Sequence, residues 1–359
     1  MKKIALLVYD YTLFGGAEHV AANLANELSR VYEVSLISCF AEKEVPSFPL
    51  EGQVRTFVLN KQTLSIPTHC HALAKKLRGY LKTNGVGVLL NITAGINSVS
   101  YLATRHSATR VIYCEHSNLF NQTYGRKHAF RQWLGAKTAD RVICLTAADA
   151  EEFRRKYGIG DRAGFIYNWY DGPTSTDYDE ESKKIISVGR LEYVKGYDRL
   201  IAAAEQVFAA HPDWSWDIYG EGKFRPEIER MIAQRHLENH VILKGNCPTV
   251  IREYASHAMV VMTSYYEGLP LALVEAMANG LPAVSFDCRT GPGEIITDGR
   301  NGLLVENGNI DALAAAINRL IENPQLRREF SRHSGEVLPK FDKASIARQW
   351  IETIDSLMD

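Results

Sequence analysis

The sequence of 359 residues lacks the features that mark membrane-spanning, disulfide-rich or repeat proteins. Its six cysteines are scattered without a C-x-x-C pair, which argues against a disulfide framework or a metal ribbon and fits a reducing compartment. No apolar stretch reaches the roughly 18 residues that a transmembrane helix needs, and the apolar run at residues 3–8 is too short for a secretory signal. We therefore expect a globular cytoplasmic protein.

The chain also has almost no net charge, formally -1 at pH 7. This balance hides an asymmetry, because residues 1–170 hold 21 Lys and Arg against 13 Asp and Glu, whereas the remainder holds 20 against 29. A basic half beside an acidic half indicates that the first half meets an anionic surface or ligand. A chance imbalance between two domains is the alternative, and the sequence leaves it open.

What the chain does have is a regular alternation of short apolar β-type runs with longer helical patterns, which predicts parallel sheets covered by helices. It is too long for one typical core, and the alternation restarts after the polar stretch 171–182. We predict an α/β protein of two facing Rossmann-like domains, residues 1–170 and 171–340, with a ligand cleft between them. In the second half, strands are predicted at 184–188, 215–219 and 241–243, and helices at 197–210 and 224–235.

The end of the chain, residues 341–359, is predicted to be an amphipathic helix. Ile346, Trp350, Ile354 and Leu357 recur at three- and four-residue spacing and share one side. We expect this helix to cross back onto the first domain. The alternative is that it caps the second.

The most informative stretch is Tyr265–Glu275, in which Glu267 and Glu275 stand eight residues apart around a Gly-Leu-Pro corner. An apolar strand is predicted before it and a helix after it, so the corner presents backbone N–H groups that favour anionic oxygen. Glu267, in the loop, is suited to accept hydrogen bonds from sugar hydroxyls. Glu275 lies inside an apolar helix and should have a specific partner, because an unpaired buried carboxylate is costly.

A second loop, residues 188–198, also follows a predicted strand and precedes a helix. Arg190 offers a bidentate fork and Lys195 a point charge, which together suit a diphosphate. Such residues are usually solvated when they stand alone, but their place after a strand favours phosphate binding. The strand-end turn at Asn246 is suited to cradle a nucleotide base, and it is equally compatible with a plain turn.

Two strand ends in the first half add candidates. Gly15 and Gly16 permit close approach of a ligand to the following helix, although paired glycines also make ordinary turns. Glu115 and His116 end a later strand, which places them in the predicted cleft by the strand-end rule. A lone histidine is more often structural, and that alternative stays open.

The segment 123–137 combines Arg126, Lys127 and Arg131 with aromatic residues that include Trp133. A basic, aromatic helix of this kind can lie on an anionic bilayer. The alternative is a helix that packs its aromatic side chains into the core and turns its charges outward.

Asp177-Tyr-Asp179 has the D-x-D spacing of divalent-ion sites. It stands in the polar stretch between the predicted domains and does not follow a strand. We therefore interpret it as solvated charge and predict no metal site.

Taken together, these residues resemble the retaining glycosyltransferases of family 4, which have the GT-B fold of two facing Rossmann-like domains. The resemblance spans almost the whole chain, although Asn168-Trp-Tyr stands where many relatives have Asn-Pro at the domain junction. It is carried by Gly-Gly-Ala-Glu18, Glu-His-Ser-Asn118, Gly-Arg-Leu191 with Lys195, Glu-Gly-Leu-Pro270 with Glu275, Thr290-Gly-Pro-Gly-Glu294 and Asn-Gly-Leu-Leu-Val305.

The resemblance assigns roles to these residues. It implies that Arg190 and Lys195 hold the diphosphate of a UDP-sugar and replace a metal electrostatically, so that no cofactor is expected. Glu275 would bind the ribose and Glu267 the donor sugar. His116 would line the donor sugar and would belong with Glu267, Arg190 and Lys195 to the catalytic residues. The remaining donor-binding positions are Gly16, Asn246 and the corner residues Gly268, Leu269, Pro270 and Leu271.

The function implied is transfer of a hexose or N-acetylhexosamine from a UDP-sugar to a glycan acceptor, with retention of configuration. The sequence of residues 286–294 resembles that of bacterial enzymes of surface polysaccharide synthesis. Such enzymes often act on lipid-linked acceptors such as undecaprenyl-linked glycans. Peripheral contact of the basic half with the inner face of the cytoplasmic membrane would follow, and no nucleic acid partner is expected. The alternatives are a UDP-sugar 2-epimerase of the same fold and a non-catalytic nucleotide- or lipid-binding module.

Overall fold

The computed structural model describes residues 1–116, 125–175 and 178–358, and it divides the chain into two compact units. The N-terminal unit comprises Met1–Asn168 together with the stretch that begins at Lys343. The C-terminal unit comprises Trp169–Asp342. These limits lie two residues from those expected at 170 and 340.

The described part of the N-terminal unit is built on one parallel sheet. Its central strands are apolar runs buried on both faces, as expected for a parallel sheet covered by helices. The strands are β1 (Lys3–Asp10), β2 (Glu33–Phe40), β3 (Arg55–Val58), β4 (Val88–Ile92), β5 (Arg110–Glu115), β6 (Arg141–Cys144) and β7 (Ala163–Phe165). They lie in the order β3-β2-β1-β4-β5-β6-β7.

The helices of this unit connect successive strands and bury one face each against the sheet. Their ends follow ordinary capping chemistry: the Thr146 hydroxyl accepts from the Asp149 amide at 3.1 Å, and Gly158 closes the same helix with φ 57°. The helices are α1 (Gly16–Leu28), α2 (Ile66–Asn84), α3 (Asn97–Thr104), α4 (Arg126–Thr138) and α5 (Ala147–Tyr157).

The C-terminal unit repeats the architecture with a second parallel sheet in its described residues, in the order β10-β9-β8-β11-β12-β13. The fully buried Trp216 stands in its core. Strands β8 and β9 and helix α6 coincide with their predicted ranges. The elements are β8 (Lys184–Val188), α6 (Tyr197–Ala210), β9 (Ser215–Tyr219), α7 (Arg225–Gln234), β10 (Val241–Gly245), α8 (Ile251–Tyr254), β11 (Met259–Met262), α9 (Leu271–Ala278), β12 (Ala283–Asp287), α10 (Pro292–Ile295), β13 (Gly302–Glu306), α11 (Ile310–Glu322) and α12 (Pro324–Ser334).

The last helix, α13 (Lys343–Asp355), packs on the N-terminal unit. Ile346, Trp350 and Ile354 are buried, on the side that the sequence pattern marked as apolar. Asp355 accepts hydrogen bonds from Lys2 at 3.0 Å and from the Tyr32 hydroxyl at 3.1 Å. These contacts tie both ends of the chain into one unit.

The polar stretch predicted to lie between the domains is bound to the C-terminal unit. The Tyr178 hydroxyl donates to the Ala258 carbonyl at 2.8 Å, and the Ser182 hydroxyl donates to the Ser256 carbonyl at 2.7 Å. Asp177 of the D-x-D spacing lies outside the described residues. Asp179 accepts from the Glu181 amide at 3.1 Å, which is ordinary turn chemistry.

Candidate active site

The corner predicted from the sequence forms at the carboxyl end of β11. The strand ends at Met262, Glu267 follows in the loop and is 9% exposed, and helix α9 starts immediately after Pro270. Among the described residues, the amides of Gly268 and Leu269 have no hydrogen-bond acceptor. The Leu271 amide donates to the Leu269 carbonyl at 3.0 Å, and Pro270 has no N–H, so the corner offers fewer donors than expected.

An ion pair joins this corner to the loop after β8. Lys195 Nζ lies 2.7 Å from Glu267 Oε1, and their side chains are 25% and 10% exposed. The Ser264 hydroxyl donates to the same oxygen at 2.5 Å. Lysine has three donors and a carboxylate about four acceptor sites, so both groups can form more hydrogen bonds than these.

Two glycines allow the loops to approach this closely. Gly196, at φ 66°, immediately precedes α6, and a Cβ there would lie 2.1 Å from the Thr263 carbonyl oxygen. Gly291, at φ 97°, packs on the corner, and a Cβ there would lie 2.8 Å from the Gly268 carbonyl oxygen. Any larger residue would strain the backbone and separate the loops.

A pocket of about 200 Å³ opens beside the ion pair. One water occupies about 30 Å³ in the liquid, so the pocket has room for a phosphate-sized group. Cationic Lys195 and the amide of Leu269, which is free among the described residues and lines the pocket just before α9, make it suitable for an anion. Its lining comes from residues 187–190, 195, 197, 260–264, 267 and 269–273.

The other residues predicted for donor binding occupy different settings. Arg190 lines the pocket, but its side chain is 75% exposed and its Nη1 lies 2.8 Å from Glu192 Oε1. Asn246 follows β10, is exposed, and does not line this pocket.

Glu275 lies inside α9 and is outside the lining of this pocket. The fully buried Tyr254 presents its hydroxyl 3.4 Å from Glu275 Oε2. Burial raises the pKa of Glu275, and this hydroxyl opposes the rise by donating to the carboxylate.

In the N-terminal unit, Gly16 is the exposed first residue of α1, and a Cβ there would meet nothing within 4 Å. Glu115 is buried and accepts hydrogen bonds from Tyr113 and Gln132, so it is held structurally. His116 follows β5, and its Nε2 has no hydrogen-bond partner among the described residues. Burial lowers the pKa of His116 to about 4, which keeps the ring neutral near pH 7.

Helix α4 turns its aromatic side chains outward. Phe130 and Trp133 are 58% and 45% exposed, and their ring centroids lie 5.7 Å apart. The buried face consists of Gln132, Gly135 and Ala136 instead. The alternative that these aromatic residues fill the core is therefore wrong, and positions 123 and 124 of the predicted segment lie outside the described residues.

Comparison with known proteins places both halves of the chain in glycosyltransferase families. The model described as Glycosyltransferase Family 4 matches residues 14–171, and the model for glycosyl transferases group 1 matches residues 173–336. Between them they account for both units. The chain belongs to glycosyltransferase family 4.

Relatives align along the whole length of this glycosyltransferase. The amylovoran biosynthesis glycosyltransferase AmsD of Erwinia amylovora is 28% identical over 370 residues, covering 99% of this chain and 100% of the relative. A Campylobacter jejuni enzyme, N-acetylgalactosamine-N,N'-diacetylbacillosaminyl-diphospho-undecaprenol 4-alpha-N-acetylgalactosaminyltransferase, is 26% identical over 374 residues, covering 97% of this chain and 98% of the relative. Both are bacterial proteins.

A solved structure shows the same fold. A mutant of TarM from Staphylococcus aureus, in complex with fondaparinux, alpha-GlcNAc-glycerol and UDP, matches with a TM-score of 0.83 at 19% identity. The match covers 99% of this chain and 100% of TarM. The two Rossmann-like units of the glycosyltransferase therefore have the GT-B fold, which confirms the predicted fold class.

Several side chains around the site were not predicted. Ser264 binds Glu267, Tyr254 binds Glu275, and the Thr290 hydroxyl donates to the Glu267 carbonyl at 2.5 Å. A serine three residues before Glu267 in the same loop was a usable sequence signal. Tyr254 and Thr290 come from other elements, and nothing in their local sequence marked them.

The described part of the glycosyltransferase contains neither a metal-binding cluster nor a membrane-spanning helix. In residues 1–116, 125–175 and 178–358, no three His, Cys, Asp or Glu side chains are grouped so that they could hold a metal ion. None of the helices in these ranges combines the length and apolar character needed to cross a membrane.

Proposed function

We propose that this glycosyltransferase moves a hexose or N-acetylhexosamine from a UDP-sugar to a glycan acceptor, with retention of configuration and without a metal ion. The observation that carries the proposal is the Lys195–Glu267 pair at the start of α9. A cation, a carboxylate and unpaired backbone amides lie together beside one pocket. These are the groups that bind a sugar diphosphate.

The donor site follows from these groups. Lys195, with Arg190 at the rim, neutralises the diphosphate and stabilises UDP as it leaves, while the amides of Gly268 and Leu269 bind phosphate or sugar oxygens. Glu267 accepts hydrogen bonds from the sugar hydroxyls, and Lys195 and Ser264 hold its carboxylate in place. Glu275 binds the ribose hydroxyls, and His116 lines the sugar as a neutral ring.

Retention follows a front-face path in this proposal. The bond between the anomeric carbon and the diphosphate oxygen breaks as an oxocarbenium-like centre develops, and the acceptor oxygen bonds to the same face. The acceptor proton passes to the leaving phosphate oxygen. Lys195 and Arg190 supply the positive charge that a metal would otherwise supply, so the proposed reaction needs no divalent ion.

The proposed acceptor is a lipid-linked glycan of a bacterial surface polysaccharide. The names of the relatives include amylovoran biosynthesis and a diphospho-undecaprenol substrate, which supports this class of acceptor. The exposed Phe130 and Trp133 with Arg126, Lys127 and Arg131 give α4 the composition of a helix that lies on an anionic bilayer. The excess positive charge of residues 1–170 also supports contact of the N-terminal unit with an anionic bilayer.

The donor proposal is tested by incubation with a panel of UDP-sugars, with and without acceptor glycans, scoring UDP release and transfer. We expect UDP to raise the Tm and one UDP-sugar to release UDP faster with an acceptor. Conversion of UDP-GlcNAc to its 2-epimer without an acceptor would instead identify an epimerase. Binding without turnover would identify a binding module.

The membrane proposal is tested by cosedimentation with phosphatidylglycerol and phosphatidylcholine vesicles. The wild type should bind the anionic vesicles preferentially, and the Phe130→Ser, Trp133→Ser double variant should lose most of that binding. Phe57→Ser, which removes an exposed phenylalanine from strand β3 of the same unit, is the matched control. Equal losses in both variants would refute α4 as the contact.

A further inference from the structure

An aromatic stack joins the two loops that carry the Lys195–Glu267 pair. The rings of Tyr193 and Tyr265 lie 4.8 Å apart between centroids, with 19° between their planes. Tyr193 stands two residues before Lys195, and Tyr265 stands two residues before Glu267. The stack therefore acts on the backbone immediately beside each charged residue.

The Tyr265 ring is held on its other face by a cation. The guanidinium carbon of Arg199 lies 3.5 Å from the ring centroid. Arg199 also donates to Asn307 Oδ1 at 2.8 Å, and the Asn307 side-chain amide donates to the Tyr265 carbonyl at 3.3 Å. Tyr265 is thus enclosed between an aromatic ring and an arginine that is itself held in place.

The polar atoms of Tyr265 are fixed as well. Its hydroxyl donates to Asp198 Oδ2 at 2.5 Å, and its amide donates to the Val194 carbonyl at 2.9 Å. Asp198 lies in the first turn of α6, where the helix dipole favours a carboxylate. Burial and the Asp198 bond raise the pKa of Tyr265, so the hydroxyl remains a donor across the physiological range.

On the basis of the proposed function, we propose that Tyr265 is a positioning residue for glycosyl transfer. Together with Tyr193 and Arg199 it forms the Tyr265 clamp, which sets the backbone from which Glu267 reaches the donor sugar. Tyr193 is 57% exposed, so its ring adds little core burial. Positioning the loop accounts for the stacking of Tyr193 on Tyr265 better than fold stability does.

The clamp restrains the backbone of the loop that carries Glu267. The bonds from Lys195 and Ser264 reach the end of the flexible Glu267 side chain, and the Thr290 hydroxyl holds the Glu267 carbonyl. The clamp acts on the backbone before Glu267, and Gly268 follows it directly. A small displacement of Glu267 would change its alignment with the reacting sugar much more than it would change the binding of UDP, which lacks the transferred hexose.

The test compares Tyr265→Leu, Tyr265→Phe and Tyr193→Leu in transfer kinetics, with UDP affinity measured by titration calorimetry. We expect Tyr265→Leu to lower kcat by roughly 10- to 100-fold while the Kd for UDP stays within about threefold. Tyr265→Phe keeps the stack and should stay within about threefold of wild type in kcat. The kcat of Tyr193→Leu should lie between those of the two Tyr265 variants. This variant tests the clamp if Tyr265→Leu does not fold.

Phe57→Leu is the matched control, because it removes the exposed partner of the Phe57–Tyr80 ring pair in the N-terminal unit, where the centroids lie 4.4 Å apart. Its kcat should equal that of wild type. An unchanged kcat in a folded Tyr265→Leu, or a loss confined to the Kd for UDP, would overturn the clamp.

Hydrogen exchange of residues 263–268 separates this proposal from the proposed function. Exchange should accelerate in Tyr265→Leu and not in Phe57→Leu, whatever the substrate is, and unchanged exchange would overturn the clamp. A wild type that neither binds UDP nor releases it from any UDP-sugar would refute the proposed function itself, and the clamp would then have no catalytic role.

Discussion

Removing either partner of the Lys195–Glu267 pair should destabilise the C-terminal unit through the charge left behind. The nitrogen–oxygen distance is 2.7 Å and the side chains are 25% and 10% exposed. The same unit offers a matched pair, Lys183–Asp213, with the same distance of 2.7 Å but with side chains 59% and 56% exposed. The two pairs differ in burial and not in separation.

Burial sets the expected magnitude. Exposed ion pairs contribute about 0.2–1 kcal/mol, whereas removing one partner of a fully buried pair costs about 3–5 kcal/mol. Lys195 and Glu267 lie between these limits, and Ser264 continues to bind the carboxylate when the lysine is removed. We therefore expect Lys195→Met and Glu267→Gln each to cost about 2 kcal/mol, with a coupling energy of about 1–2 kcal/mol.

The assay is a double-mutant cycle read by native-state hydrogen exchange of strands β8 and β11. These amides report the opening of the C-terminal unit alone, which matters because a chain of two units does not unfold as one two-state system. The parallel cycle with Lys183→Met and Asp213→Asn gives the exposed reference, for which we expect a smaller coupling. Equal coupling in the two cycles would refute the argument from burial.

Three further predictions concern ionisation and metal dependence. Burial raises the pKa of Glu275, so the charged carboxylate lowers the folding stability above that pKa, and this destabilisation disappears below pH 4.5. Glu275→Gln should therefore raise the Tm at pH 7 and weaken UDP binding. A lower Tm would contradict this prediction. Because the pKa of His116 is lowered to about 4, the free energy of unfolding of the N-terminal unit should fall by up to about 3 kcal/mol between pH 6.5 and 4. Hydrogen exchange of β5 measures this fall, and His116→Asn should reduce its dependence on pH. EDTA should leave UDP release unchanged, and a loss restored by Mg²⁺ would exclude the metal-independent mechanism.

The regular elements of the C-terminal unit were predictable because their signals are local. Strands β8 and β9 are short apolar runs, and α6 begins after Gly196, which closes the preceding loop. Helix α9 likewise begins after Pro270 and ends before Gly280, which has φ 84°. Each boundary depends on residues within one turn of itself, so periodicity and capping were sufficient.

The orientation of α4 was not predictable in the same way. Its sequence left open whether the aromatic residues contact a bilayer or pack into the core, and the structure buries Gln132, Gly135 and Ala136 instead of them. A Cβ at Gly135 would lie 2.7 Å from the side-chain carbon of Asn97, so the helix can approach α3 closely only on its small-residue side. That preference depends on a neighbour 38 positions away in the chain.

The sequence by itself determined the α/β architecture and the strand-end positions of Glu267, Lys195 and His116, because both follow from local patterns and from the geometry of parallel sheets. Only the tertiary structure decided which of these groups meet. It paired Lys195 with Glu267 across 72 positions, gave Glu275 a tyrosine partner and enclosed Tyr265 between Tyr193 and Arg199. Such contacts depend on how separate loops pack at one sheet edge, and no local sequence pattern predicts which residues of separate loops will meet.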